Sequence, residues 1–450
     1  MSFLHFPFSK KFFSLLHIAI FVLQKYFFLL QKTALTIHTE IAKNNTPPIK
    51  MKTTHQPTMK QLLLLLLTLL AINSMAQRET YYPQRADDNG FFEMKWTSLV
   101  AHLEDDYFRT PDAIRVGDNV LLFQLKSGGW GKNINMQRVL SEDEHDTALA
   151  AQSHVDEGTI DNGATSTEII FLARLYKATG EKRFLKGLTR GLDYLLKMQY
   201  KNGGFPQCYP RTTGYVTEIE YNDNANVNVL RLMRAVYESD PRCKTHWDDW
   251  ATWTQPGSMD RRTFDFLPRK YFKKAKKSFD KGISCILRTQ IVRDGQLTAW
   301  CAQYDHQTLQ PAKARAYELV SLSGAESFGI LELLLTLPSP SDDVIKAIEG
   351  GALWTENSKV EGLKFDFFRT PDGKRDYRMA PCEDCPPLWA RFYDIDTNEP
   401  FFCDRDGVKV DAVEKIGIER RTGYSWYSGD GNQFLKHYEK WKKRVSSVKQ

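Results

Sequence analysis

Apolar residues recur at helical spacing along most of the chain. Between Ser166 and Ala178, Ile169, Ile170, Leu172, Ala173 and Tyr176 fall on one side, and Gly180 supplies a stop. Between Lys182 and Tyr200 the pattern returns with Phe184, Leu188, Leu192, Leu195 and Leu196. It predicts further helices over residues 225–238, 269–289, 325–335 and 343–357. Strand signals are weak and scattered, so little β-structure is expected.

The helix ends repeat one another. Gln124-Leu-Lys-Ser-Gly128-Gly129-Trp130 follows the apolar Leu121-Leu122-Phe123, and Gln199-Tyr-Lys-Asn-Gly203-Gly204-Phe205 follows Leu195-Leu196-Lys197-Met198. A third copy runs from Gln290 through Gly295 to Leu297–Trp300. Each unit is helix, glutamine, short glycine turn, aromatic residue, and glycine ends a helix because it adopts left-handed angles cheaply. Separations of 75 and 91 residues suit a helix pair plus loops. The expected fold is therefore all-α: an incomplete α/α toroid of helical hairpins around a central cleft, with long loops. An irregular helical bundle is the alternative. Residues 240–267, rich in Asp, Arg, Trp, Thr and Pro, read as a surface insert.

Charge changes the picture only once it is divided. The 450 residues carry a formal net charge of +6, but residues 1–76 hold eight lysines and one acid, Glu40. The remainder keeps 53 basic and 54 acidic residues, so a nucleic-acid partner loses its support. Within that leader, Met59-Lys60, the apolar run Leu62–Ile72 and the small residues of Ser74-Met75-Ala76 read as a secretory signal cleaved after about Ala76. Residues 51–76 are then the signal-peptide region, 1–50 an upstream extension from a start codon taken too early, and 77–450 a single domain. A membrane anchor at Phe12–Leu30 is the alternative. The expectation is a secreted or periplasmic monomer with no stable membrane association. Seven cysteines in an exported chain permit disulfides, and Cys382-Glu-Asp-Cys385 suits either a local bridge or two plain thiols.

Four loops are unusually polar for a helical chain. Trp130-Gly-Lys132-Asn133 follows the first turn; Thr159-Ile-Asp161-Asn162-Gly and Tyr221-Asn-Asp223-Asn each precede a helix. The fourth runs from Pro311 through Lys313, Arg315 and Glu318 to Glu326. Asp161 and Asp223 can be read as helix caps. They can equally be read, with the neighbouring amides, as oxygen ligands for a hard cation such as Ca²⁺. Arg315 reads as a solvated charge or an ion-pair member, and Arg391, flanked by aromatics, as buried against a carboxylate or stacked over a ring; spacing alone does not choose.

Taken together these strings resemble the family 10 polysaccharide lyases, pectate lyases on a helical toroid. The matching segments are 127–133, 159–168, 202–210, 221–225, 297–305, 314–317 with 323–327, 389–393 and 419–427, in order along the chain. Gly131 stands where that pattern commonly has proline, and the 240–267 insert is long. The resemblance implies a catalytic domain over 77–450 that cleaves α-1,4-polygalacturonate by calcium-assisted β-elimination, leaving 4,5-unsaturated oligogalacturonates. It implies Arg315 as catalytic base, Asp161 and Asp223 as the Ca²⁺ site, and Lys132, Asn133, Asn162, Lys313 and Arg391 as substrate contacts. An arginine base requires its pKa to be lowered by neighbouring cations and desolvation, or an alkaline working pH; Lys313 is the substitute. Two other classes compete. One is an inverting glycoside hydrolase drawing its carboxyl pair from Glu168, Asp161 and Asp223. The other is a pectin-binding protein without activity.

Overall fold

Nine helices of ten residues or more lie among the residues described by the structure, a computed structural model covering 89–244, 259 and 262–448. They are α1 (Pro111–Leu122), α2 (Glu142–Ala151), α3 (Ser166–Thr179), α4 (Lys182–Met198) and α5 (Ala225–Glu238). Then follow α6 (Arg269–Thr289), α7 (Glu326–Leu335), α8 (Asp342–Asn357) and α9 (Asp430–Val448). Local chemistry sets their ends. Thr110 caps α1 by accepting from the Ala113 N–H at 3.1 Å, with proline at the first helical position. Ser141 and Glu144 close a capping box on α2, and Gly180 ends α3 in the left-handed conformation.

Two rows of helices result. α3 packs on α4, α5 on α6 and α7 on α8 as hairpins; α3, α5, α7 and α9 neighbour one another in one row, and α4, α6 and α8 in the other. The rows differ in composition because they differ in surroundings. α3, α5 and α7 are buried on nearly all sides, with Ser166–Leu175 inaccessible without a break, whereas α4 and α6 bury one stripe and expose lysines on the other. This is the helical toroid expected from the repeat.

The glutamines tie the second row together. The Gln124 side-chain amide donates to the carbonyls of Gly128 (2.8 Å) in its own turn and Gly187 (2.9 Å) in α4. Gln199 does the same to Gly203 and to Ser278 in α6, both at 2.9 Å. Gln290 reaches Thr298 (2.8 Å) and Ala347 in α8 (2.9 Å). Each turn is thereby fastened to the next hairpin. Gly128 and Gly203 have φ near +100°, and a Cβ there would lie 2.7 Å and 2.0 Å from the Arg190 and Lys281 carbonyl oxygens. Glycine is thus required at both positions.

Most strands are two-residue ladders, as the weak signals implied. The exception was not anticipated: Leu363–Arg369 pairs antiparallel with Arg375–Pro381 over seven residues. Its cue was the Pro371-Asp372-Gly373 turn between two aromatic-containing runs. Cys382 and Cys385 are bridged directly after it. Of the expected insert, the described end packs inward, with Phe264 and Leu267 buried. The signal region 51–76, the extension 1–50, the alternative anchor at Phe12–Leu30 and residues 245–258 lie outside the described residues. Among those described, no helix is long and apolar enough to cross a membrane.

Candidate active site

The three loops that lead into α3, α5 and α7 are copies of one backbone arrangement. Thr159, Glu220 and Ser323 donate their N–H groups to the carbonyls of Trp130, Phe205 and Trp300 at 3.0, 3.0 and 2.7 Å. One residue on, Ile160, Tyr221 and Gly324 donate to Gln207, Ala302 and Arg391 at 3.1, 2.8 and 2.9 Å. The three aromatic residues return the contact, their N–H groups donating to Thr165 Oγ1, Asn226 Oδ1 and Ser327 Oγ. The polar segments after these anchors sit side by side: turn 161–163 packs against turn 222–224, which packs against α7.

Neither aspartate is a cap. The residues preceding α3 and α5 are Thr165 and Asn224, and neither helix start carries a side-chain capping bond. Asp161 and Asp223 instead occupy single turns in which Asn162, Asp223, Asn224 and Thr165 all have φ between +51° and +64°. Such angles are unusual, above all for β-branched Thr165, and strain of this kind gathers where side chains must be aimed.

Asp161 lies at the floor of the site and Asp223 at its rim, with side chains 5% and 42% exposed. Asp161 Oδ2 accepts from Lys132 Nζ and from Gln207 Nε2 (2.9 Å), while its Oδ1 is buried with no donor. Burial pulls the Lys132 ammonium down, but Asp161 more than restores it, leaving its pKa above the usual value. Asn162 Nδ2 donates to Asn133 Oδ1 at 3.0 Å on the exposed edge. Asp223 accepts from Arg391 Nη2 and Asn222 Nδ2, both at 3.0 Å.

Arg391 gathers the centre. Its buried Nη2 also donates to Asn222 Oδ1 (2.9 Å) and Glu326, and its guanidinium lies 4.4 Å from the Tyr424 ring centre. Glu326 is held in addition by the Ser323 hydroxyl and the Asp223 N–H (3.3 Å). Below this pair, Glu220 is enclosed and accepts from Gln303 Nε2 (2.9 Å) and the Asn222 N–H (3.1 Å). Burial pushes its carboxyl well above the ordinary range, and the charges of Asp161 and Glu318 add to the rise.

Arg315 is gripped rather than free. Buried Glu318 accepts from its Nε (2.7 Å), its Nη2 and its backbone N–H (3.2 Å), and also from the Tyr424 hydroxyl (2.9 Å). A cation of the kind expected to lower the Arg315 pKa is close by, the Arg420 guanidinium lying over the same Tyr317 and Tyr424 rings at 4.3 and 5.3 Å from their centres, but it does not prevail. Burial lowers it, but pairing with Glu318 and the nearby Tyr317 and Tyr424 outweigh that and hold it above the ordinary guanidinium value. Tyr424 joins this clamp to Arg391, and Tyr215 joins it to the other side, lying within electrostatic reach of both Arg315 and Lys132. Asp161, Asp223, Lys132, Arg391 and Arg315 thus share one continuous polar wall, with Asn133 and Asn162 on its edge. Lys313 lies on the Arg315 loop, exposed and without a hydrogen bond or ion pair among the described residues.

Sequence reasoning left out Glu220, Gln207, Glu318, Glu326 and Tyr424 as site members. Arg315 and Glu318 are three apart, and Ser323 and Glu326 have capping-box spacing, so two of them had a local cue. The others are joined only by the fold. Glu168 leaves the candidate list: it is fully enclosed in α3, where burial pushes its carboxyl up to about 7, and a hydrolase would lose its proton donor. No group of three His, Cys, Asp or Glu placed to hold a metal occurs among the described residues. What fits a hard cation is more open: the donorless Asp161 oxygen, the half-exposed Asp223 carboxylate and adjacent amide oxygens, leaving positions for oxygen atoms of a bound anion.

The chain as a whole has counterparts among solved structures. The chain is 32% identical to the family 10 polysaccharide lyase from Cellvibrio cellulosa over 75% of its length and 94% of that chain, with a TM-score of 0.59. It is 31% identical, over 75% and 95% with the same TM-score, to an aspartate-to-alanine mutant of that enzyme in complex with trigalacturonic acid. The class is therefore polysaccharide lyase. The sequence profile of the pectic acid lyase family matches residues 124–435, and the chain belongs to that family. No protein with a curated description matches it.

Proposed function

We propose that this pectate lyase is exported and cleaves α-1,4-polygalacturonate by calcium-assisted β-elimination on the wall between Asp161 and Arg315. One observation carries the reading: two aspartates that cap nothing are held in strained turns beside Lys132 and Arg391, and Tyr424 links Arg391 to Arg315. The trigalacturonic acid bound to the Cellvibrio enzyme supports the substrate class.

Each galacturonate carries a carboxylate beside its C5 hydrogen. Lys132 and Arg391, already paired with carboxylates, would exchange or share those partners with the sugar's carboxylate. Ca²⁺ held by Asp161 and Asp223 would withdraw charge from that carboxylate and so acidify the neighbouring C–H. Arg315 removes the C5 proton; the freed electron pair forms the C4–C5 double bond, and the C4–oxygen bond breaks. The departing oxygen leaves with its electron pair and takes a proton from water. Enclosed Glu220 lies beneath the wall, and burial holds its carboxyl well above the ordinary range.

Glu318 makes Arg315 a reluctant base, so turnover rises with pH as the neutral guanidine fraction grows. A second reading rests on one observation: Lys313, exposed and unpaired on the same loop, could take the proton while Arg315 stays cationic. Variants separate them. On polygalacturonate, Arg315→Ala loses the ultraviolet absorbance of the unsaturated product by about 1,000-fold or more, whereas Lys313→Ala loses at most about tenfold. The reverse order would assign the proton to Lys313, and hydrolytic, non-absorbing products from the wild type would end the lyase reading.

A further inference from the structure

We infer that the cleft between α4 and α6, on the outer row of helices and sharing no residue with the active site, is a second binding surface for polygalacturonate. The inference rests on the proposed substrate and goes beyond it in assigning a site. The cleft has a volume of about 680 Å³. Lys126, Arg190, Lys197, Lys274, Lys277 and Lys281 line it against a single acid, Asp193, which is engaged by the Tyr271 hydroxyl at 3.0 Å. A second cleft continues along α6 past Lys273 and Lys276, the latter paired with Asp280 at 2.7 Å.

This concentration is not a reflection of overall charge. α6 alone carries eight basic residues and one acid in 21 positions, although basic and acidic residues nearly balance beyond residue 76. Lys270 and Lys274, Lys273 and Lys277, and Lys277 and Lys281 are like-charged pairs four residues apart, a spacing that repels along a helix. With about 1.5 Å of rise per residue, the row from Lys274 to Lys281 spans about 10 Å, a length over which a linear polyanion can place several charges. Lys126, Lys197, Lys277 and Lys281 have no carboxylate partner among the described residues, so their charges remain available. The floor adds a second sign of an absent partner: the hydroxyl of Ser278, 3% exposed, has no hydrogen-bond partner. A flexible chain bearing one carboxylate per sugar matches a cationic furrow of this kind, and neutralising it removes the lysine repulsion. Such a surface would hold the enzyme on its polymer while the catalytic wall works elsewhere along it.

The test uses the full-length protein with Lys197→Gln, Lys274→Gln and Lys277→Gln combined, in the wild-type and Asp223→Ala backgrounds. Retardation in native gels containing polygalacturonate is measured at low and raised salt, together with turnover of trigalacturonate. The inference expects at least a tenfold weaker retardation at low salt in both backgrounds, a difference that shrinks as salt screens it. It also expects unchanged trigalacturonate turnover with a raised KM on the polymer. Single Lys277→Glu should show the same trend if the triple variant folds poorly. Retardation unchanged by the substitutions overturns the inference. So does unchanged polygalacturonate retardation with lost retention on DNA or anionic vesicles. Absence of unsaturated product from the wild type would instead refute the proposed reaction, while the retardation result would still decide whether the cleft binds the polymer.

Discussion

At the residue scale the site is a set of charges held in opposition. Lys132 opposes Asp161, Arg391 opposes Asp223 and Glu326, and Arg315 opposes Glu318, so an anion reaching any of these three cations competes with an internal partner. Glu318 is the sharpest case, since it both aims the guanidinium and keeps its proton on. Its removal has a signed consequence. In Glu318→Gln the Arg315 pKa falls, and the rising limb of log kcat against pH moves to lower pH, even where looser positioning reduces the maximum. A pH–rate profile with an unmoved limb would show that Arg315 is not the titrating base. The polar residues were legible one by one because Asp, Asn, Lys and Arg are conspicuous in loops between apolar helices. Their partners were not. Glu220 and Tyr424 meet Gln303 and Arg391 across long stretches of chain, and nothing local announces such contacts.

At the scale of elements, the recurring unit of outer helix, glutamine, glycine turn, aromatic residue and polar loop builds the molecule. The six expected helices end within two residues of their observed limits because the apolar periodicity runs their full length, with Gly180 marking the end of α3 and Ser341 capping α8. The 363–381 hairpin escaped notice because the adjacent Phe367 and Phe368, on opposite faces of the strand, are both exposed and blur its alternation. The turns themselves make a testable contrast. Gly203→Ala combines a positive φ with a backbone oxygen 2.0 Å from the new Cβ, whereas Gly180→Ala meets nothing within 4 Å. Thermal or urea unfolding should show about 3 kcal/mol or more lost in the first and about 1 kcal/mol in the second. Equal losses would mean that the turn is not fastened to α6 as described.

For the whole molecule, the two rows divide the work. The buried row carries polar loops at its helix starts and gathers them into the polar wall, while the outer row carries the lysines of the α4–α6 cleft. The repeat made the toroid legible from sequence, but the convergence of three loops on one wall needed the packing of α3, α5 and α7. The central claim is that a divalent cation on one side of a galacturonate and an arginine on the other make a carbon-bound hydrogen removable. It is tested most directly by following unsaturated product from polygalacturonate with metal-stripped enzyme as Ca²⁺ is titrated, in the wild type and in Asp223→Ala. The account predicts no product without Ca²⁺, saturable recovery in the wild type, and a loss of about 100-fold or more in the variant at every Ca²⁺ concentration. Full activity in excess chelator, or a variant indistinguishable from wild type, would contradict it.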